Sequence, residues 1–141
     1  MIVFVEQDVQ DRLRLVLADD NPAILDVVKR ILRNEYDIVA AYLEGSSLIR
    51  EVLTLAPDII ILDISMGEQN GFDLTRQLNA KQCTAKIIFL TVHEELEFIR
   101  AAFDAGAAAY VFKSRMHTDL KAAVNAVGAG KVFIPHAPIP Q

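Results

Sequence analysis

Five short runs rich in apolar and β-branched residues recur along the chain, at Leu13–Ala18, Ile38–Tyr42, Asp58–Leu62, Lys86–Thr91 and Ala109–Phe112. The third and fourth, "DIIILD" and "KIIFLT", are continuously apolar rather than alternating. Such a run suits a strand covered on both faces. A buried piece of helix shares that pattern, and the short length and polar flanks decide for strand. Between the runs the period becomes that of an amphipathic helix. Ile24, Val27, Val28, Ile31 and Leu32 share one face after Asn21-Pro22, where proline fits the first helical turn. Leu48, Ile49, Val52, Leu53 and Leu55 mark a second helix over Ser46–Leu55, with Ser46 or Ser47 as N-cap. Phe72, Leu74 and Leu78 mark a third after Gly71. A fourth starts near Glu94-Glu95, acids suited to a positive helix end, and stops at Gly106. The fifth runs from Thr118-Asp119 through Leu120, Val124 and Val127 to Gly128.

Five strand–helix units predict an α/β fold, a parallel sheet with helices on both faces. Right-handed crossovers and this length favour a flavodoxin-like (βα)5 doubly wound sheet of strand order 2-1-3-4-5. The domain is expected over residues 13–134. Residues 1–12 form an N-terminal extension with no assigned role. Residues 135–141 carry Pro135, Pro138 and Pro140 and read as a linker or C-terminal tail.

Composition narrows the function. A length of 141 residues suits one domain. Against 19 Asp+Glu there are 14 Lys+Arg and no long basic run, which argues against a nucleic-acid surface. One cysteine, Cys83, excludes a disulfide framework or a multi-cysteine metal site and fits a reducing compartment; Cys83 itself reads as incidental. No apolar stretch reaches the ~18–20 residues of a membrane helix, and Met1–Val5 is too short for a signal sequence. The expectation is a soluble, cytoplasmic, mildly acidic domain without membrane contact.

In open parallel sheets, ligands bind beyond the C-terminal strand ends. The first strand ends in Asp19-Asp20, the third in Asp63, the fourth in Thr91 and the fifth in Lys113. Any one of these acids could be an ordinary turn or N-cap residue. Together they put three carboxylates, a hydroxyl and an ammonium on one rim. Two carboxylates ~5 Å apart repel by roughly 3 kcal/mol at an effective dielectric near 20. A cation would relieve that repulsion, and oxygen-only ligands favour Mg²⁺ or Mn²⁺.

From Leu13 to about Ile134 the chain resembles the receiver domain of bacterial two-component response regulators. The segments that carry the resemblance are "LRLVLADDNP", "PDIIILDISM" followed by Gly71, "KIIFLTVHEE" and "GAAAYVFKS". Asp63 follows Asp20 by 43 positions, Thr91 follows Asp63 by 28, and Lys113 follows Thr91 by 22. The resemblance implies phosphoryl transfer from a sensor histidine kinase to Asp63, the phosphoacceptor. Asp19, Asp20, Asp63 and the backbone carbonyl of Ser65 would hold the metal. Lys113 and Thr91 would contact phosphoryl oxygens. Tyr110 matches the switch aromatic, which would turn inward as Thr91 moves; an ordinary half-buried strand aromatic is compatible with the same position. The output surface would be the fourth helix, fifth strand and fifth helix. The protein is then no enzyme beyond its own phosphorylation and dephosphorylation. The "GAAAYVFKS" and "LKAAVNAVGAGKVFIP" segments look most like the subgroup with a C-terminal helix-turn-helix DNA-binding domain, which regulates transcription. Receivers of this kind often dimerise, through the first and fifth helices or through the face of the fourth helix, and the sequence does not choose between the two.

Three positions depart from the family pattern. Gly67 stands where proline is usual and is expected to loosen the loop. Ser114 follows Lys113 in place of a proline with a cis peptide. Val92 replaces a small residue and is expected to narrow access. Ser65 and His93 stand where the family tunes the lifetime of the phosphoryl group, although His93 also fits an ordinary solvated loop histidine. His117 and His136 read as surface residues. Three other functions compete. An aspartate-nucleophile phosphatase would want a second Asp at the position of Ser65, and a cap segment. A flavin domain would want a glycine-rich phosphate loop where "ADDNP" stands. A receiver-like docking module would not be phosphorylated at all.

Overall fold

The computed structural model describes residues 12–135. The expected extension over residues 1–12 and the tail over 135–141, with His136, therefore lie almost wholly outside the described residues. Five strands, β1 (Arg14–Ala18), β2 (Asp37–Tyr42), β3 (Ile59–Leu62), β4 (Lys86–Thr91) and β5 (Ala109–Phe112), form one parallel sheet in the order β2-β1-β3-β4-β5. This is the flavodoxin-like order expected from the sequence. Five helices alternate with them: α1 (Pro22–Leu32), α2 (Gly45–Leu55), α3 (Gly71–Ala80), α4 (Leu96–Asp104) and α5 (Met116–Gly128).

The alternation of side chains along each strand splits the apolar runs between two cores. Leu15, Leu17, Ile59, Ile61, Ile88, Leu90 and Val111 face α1 and α5. Val16, Ala18, Ile60, Leu62, Ile87, Phe89 and Tyr110 face α2, α3 and α4. The central strands read as unbroken apolar runs because both faces are covered. Among the described residues, no helix is long and apolar enough to cross a membrane.

Side-chain caps set two of the five helix starts. Pro22 opens α1, and the Asn21 side chain accepts the Ala23 amide at 3.0 Å. Asn70 caps α3 by accepting the Phe72 amide at 2.7 Å. At α2 the expectation of a serine cap fails. Glu44 occupies the N-cap without a side-chain bond, and Ser46 and Ser47 lie inside the first turn. The fifth helix begins two residues earlier than expected, because a 3₁₀ turn over Lys113–Arg115 runs directly into Met116. Leu53, expected on the apolar face of the second helix, is exposed. After α5 the chain returns along the outer edge of β5. Phe133 donates its amide to the Ala108 carbonyl at 3.0 Å, and its own carbonyl accepts the Tyr110 amide at 3.2 Å.

Between β3 and α3 lies a small antiparallel hairpin, Ser65–Met66 with Gln69–Asn70. The following Gly71 donates its amide to the Ile64 carbonyl at 2.7 Å, drawing the start of α3 against the end of β3. A Cβ at Gly71 would collide with the Asp63 carbonyl and stand 2.8 Å from the Ile64 Cα, both backbone atoms unable to swing aside. In an open helix glycine-to-alanine stabilises by ~1 kcal/mol. Here Gly71→Ala should instead destabilise by roughly 1–3 kcal/mol, the cost of overpacking. The urea midpoint of unfolding reads the sign directly.

Candidate functional site

The rim residues come from strand ends held in register. The Asp19 amide donates to the Tyr42 carbonyl and the Asp63 amide to the Ala18 carbonyl, each at 3.1 Å, so sheet bonding continues one residue past β1 and β3. This places Asp19, Asp20 and Asp63 so that one carboxylate oxygen from each lies within 4.8 Å of the others. Asp19 and Asp63 are buried, and Asp20 is exposed. Lys113, the first residue after β5, reaches back across the sheet. Its ammonium donates to Asp63 Oδ2 at 2.9 Å and pairs with Asp19 Oδ2 at 2.8 Å.

Short local bonds aim the carboxylates. Asp19 Oδ1 accepts the Asn21 amide at 2.9 Å, and Asp63 Oδ1 accepts the Ser65 amide at 3.4 Å. Burial pushes the Asp19 carboxyl above its ordinary range, and the Lys113 hydrogen bond and Asn21 amide only partly oppose this. Burial also acts against the Lys113 ammonium, but its hydrogen bonds to Asp19 and Asp63 outweigh it and raise the lysine pKa.

Thr91 is fully buried at the end of β4, one residue past the level at which Asp63 follows β3, and its Oγ1 accepts the His93 amide at 3.5 Å. Tyr110 is also fully buried, already inward, with its hydroxyl donating to the His93 carbonyl at 2.7 Å. Burial raises the Tyr110 pKa well above the usual tyrosine value, with Glu95, Asp63 and Glu94 adding to the shift. The alternative of a half-buried strand aromatic does not describe it.

Two of the three positions that depart from the family pattern turn out to be bonded. Gly67 adopts φ +63° in the hairpin turn and donates its amide to Asp20 Oδ2 at 3.0 Å, so the expected loosening becomes a tether. The Ser114 hydroxyl donates to Glu94 Oε2 at 2.8 Å. No cis peptide occurs among the described residues, the Lys113–Ser114 bond included. Val92 is 63% exposed. His93 is no free solvated histidine: its ring stacks on Phe98 at 4.3 Å, and Nε2 lies 3.0 Å from Ser65 Oγ. His117 is exposed, and Cys83 is half-buried below the opposite end of the sheet. The contacts of Gly67 and Ser114 went unseen in the sequence; the only signal was that both residues depart from a pattern usually filled by proline.

The family model described as "Response regulator receiver domain" matches residues 15–125. The chain belongs to this family. Among curated relatives, this receiver is 30% identical over 131 residues to the transcriptional regulatory protein DegU of Brevibacillus brevis, covering 92% of this chain and 56% of that protein. It is 32% identical to the nitrate/nitrite response regulator protein homolog of Haemophilus influenzae, covering 89% and 61%. The receiver thus spans little more than half the length of these relatives. Its fold matches the isolated REC domain of RcsB from Salmonella enterica serovar Typhimurium, in a structure with the phosphomimetic BeF3⁻. That match has a TM-score of 0.83 and 25% identity over 90% of this chain and 96% of that one. A two-component response regulator of the LuxR family from Aurantimonas sp. SI85-9A1 matches with a TM-score of 0.82 and 29% identity, over 91% of each chain. The relatives named here are regulators rather than enzymes of metabolism.

The raised Lys113 pKa has a consequence for stability. The lysine contribution is complete below its ordinary value of 10.5 and is lost as pH climbs through the higher folded value. Lys113→Met should therefore lower the urea midpoint at neutral pH, and its deficit against the parent protein should shrink above pH 10.5. Tyrosines ionise in both proteins and largely cancel in the difference. A deficit that stayed constant with pH would show that the ion pairs contribute nothing.

Proposed function

We propose that this receiver accepts a phosphoryl group from a sensor histidine kinase onto Asp63, with Mg²⁺ or Mn²⁺ held by Asp19, Asp20, Asp63 and the Ser65 carbonyl. The observation that carries the reading is the Lys113 ammonium between Asp19 and Asp63, beside the third carboxylate of Asp20. Three carboxylates against one ammonium leave negative charge uncompensated, and an all-oxygen donor set fits a hard divalent cation. When bound, the cation would supply charge neutralisation for the anionic group being transferred.

The chain's own residues do the rest. An Asp63 carboxylate oxygen attacks phosphorus, the new phosphorus–oxygen bond forms, and the bond from phosphorus to the donor histidine nitrogen breaks. Lys113, already within hydrogen-bond distance of Asp63, transfers its ammonium contact to a phosphoryl oxygen. The Thr91 hydroxyl, one strand away, donates to another. Movement of Thr91 pulls on the His93 segment, whose carbonyl holds Tyr110. The change is thus delivered to the surface of α4, β5 and α5. It is a two-state equilibrium biased by one covalent modification. We further propose a cytoplasmic location, homodimerisation on activation, and control of transcription through an effector domain that these residues do not include. The named relatives support this output, and the 14 Lys+Arg against 19 Asp+Glu leave nucleic-acid contact to that domain.

Incubation with acetyl phosphate and Mg²⁺ should add the mass of one phosphoryl group, stable to acid and labile to base, and Asp63→Asn should abolish it. Continuous release of phosphate from free phosphomonoesters would point instead to a phosphatase. Absence of modification with small donors and with histidine-kinase donors alike would leave a docking module and overturn the proposal.

A further inference from the structure

The three carboxylates are not held alike. Asp19 and Asp63 each have a local backbone amide and the Lys113 ammonium. Asp20 is exposed and held from 47 positions away, by the Gly67 amide at 3.0 Å. Gly67 has open space where a Cβ would go, so crowding does not demand glycine there. Its φ of +63° does, because that conformation is strained for most side chains and inaccessible to proline. Proline would also remove the amide hydrogen. The same substitution that departs from the family pattern therefore creates the donor that Asp20 uses.

From this geometry we propose that the Gly67 backbone amide is a positioning group for the cation site, holding the Asp20 carboxylate in the orientation in which it meets a divalent cation. The inference rests on the reading of the rim as a cation site. A charge-assisted hydrogen bond restricts an exposed side chain that would otherwise sample several rotamers. A ligand ordered beforehand binds metal without that ordering cost. Bonds to metal ligands from outside the coordination sphere typically change affinity by ~10–100-fold when removed.

Mn²⁺ binding to the full chain, followed by the loss of the free-ion electron paramagnetic resonance signal, separates the possibilities. Gly67→Asn keeps the amide and tolerates positive φ, so it should bind close to the parent protein. Gly67→Pro removes the amide and should bind about 10-fold more weakly or worse. Equal binding by Gly67→Pro and the parent overturns the proposal, and so does equal weakening in both variants, which would trace the effect to the turn alone. If the parent binds no Mn²⁺ while Asp63 is still phosphorylated without metal, the cation reading fails and this inference falls with it, leaving the phosphoacceptor reading standing. Amide hydrogen exchange supplies a readout independent of metal and of whether the proline variant folds. Exchange at Gly67 should be slow in the parent and faster in Asp20→Ala; equal rates would show that the hydrogen bond has no influence.

Discussion

The rim depends on one ammonium. Lys113 lies between two buried carboxylates, Asp19 and Asp63, at 2.8 and 2.9 Å, with its own side chain only 13% exposed. Removing water from these charges is expensive, and their attraction offsets that cost only because each remaining oxygen also has a partner. Asn21 and Ser65 supply those partners through backbone amides. Loss of one member of such a buried group typically costs ~3–5 kcal/mol, because it strands the others. The charge is balanced locally yet not completely, since Asp20 adds a third carboxylate that Lys113 does not pair with. The protein thus keeps a standing preference for positive charge at the mouth of its sheet.

That arrangement ties the loops together. The segment after β4 is bonded to three other parts of the rim. Ser65 meets the His93 ring, Tyr110 holds the His93 carbonyl, and Ser114 donates to Glu94. Thr91 contacts the same segment through the His93 amide. A displacement at the strand ends therefore has a short, hydrogen-bonded route to α4 and β5. Tyr110 also donates its amide to the Phe133 carbonyl, in the segment following α5. The physical continuity matters because packed interiors pass strain between discrete arrangements rather than deforming smoothly.

Much of this was legible in the linear chain. The continuous apolar runs at Ile59–Leu62 and Ile87–Leu90, with their short length and polar flanks, pointed to strands covered on both faces, and the helical stretches between them pointed to crossovers. Right-handed crossovers and chain length favoured the parallel order 2-1-3-4-5, and the sheet has it. Asp19, Asp20, Asp63, Thr91 and Lys113 could be assigned to one rim because each stands immediately at or after a strand end. Errors fell where one residue type suits two local roles. Ser46 and Ser47 are good caps, but Gly45 entered the helix ahead of them. Gly67 looked like a source of looseness until its turn directed an amide at Asp20.

The sequence by itself determined the periodicities, the alternation of strand with helix, and which chemically active residues terminate each strand. These are local properties, fixed by side-chain hydrophobicity and by the two backbone repeats. Only the tertiary structure decided that Lys113 bridges two aspartates rather than one, that Tyr110 is wholly buried, and that Gly67 and Ser114 each become donors to a distant acid. Such contacts join residues 20 to 94 positions apart, and they form only when loop dihedral angles and side-chain rotamers bring a donor within about 3 Å of an acceptor. No repeat in the chain encodes that distance; the packing of five strand ends against one another sets it.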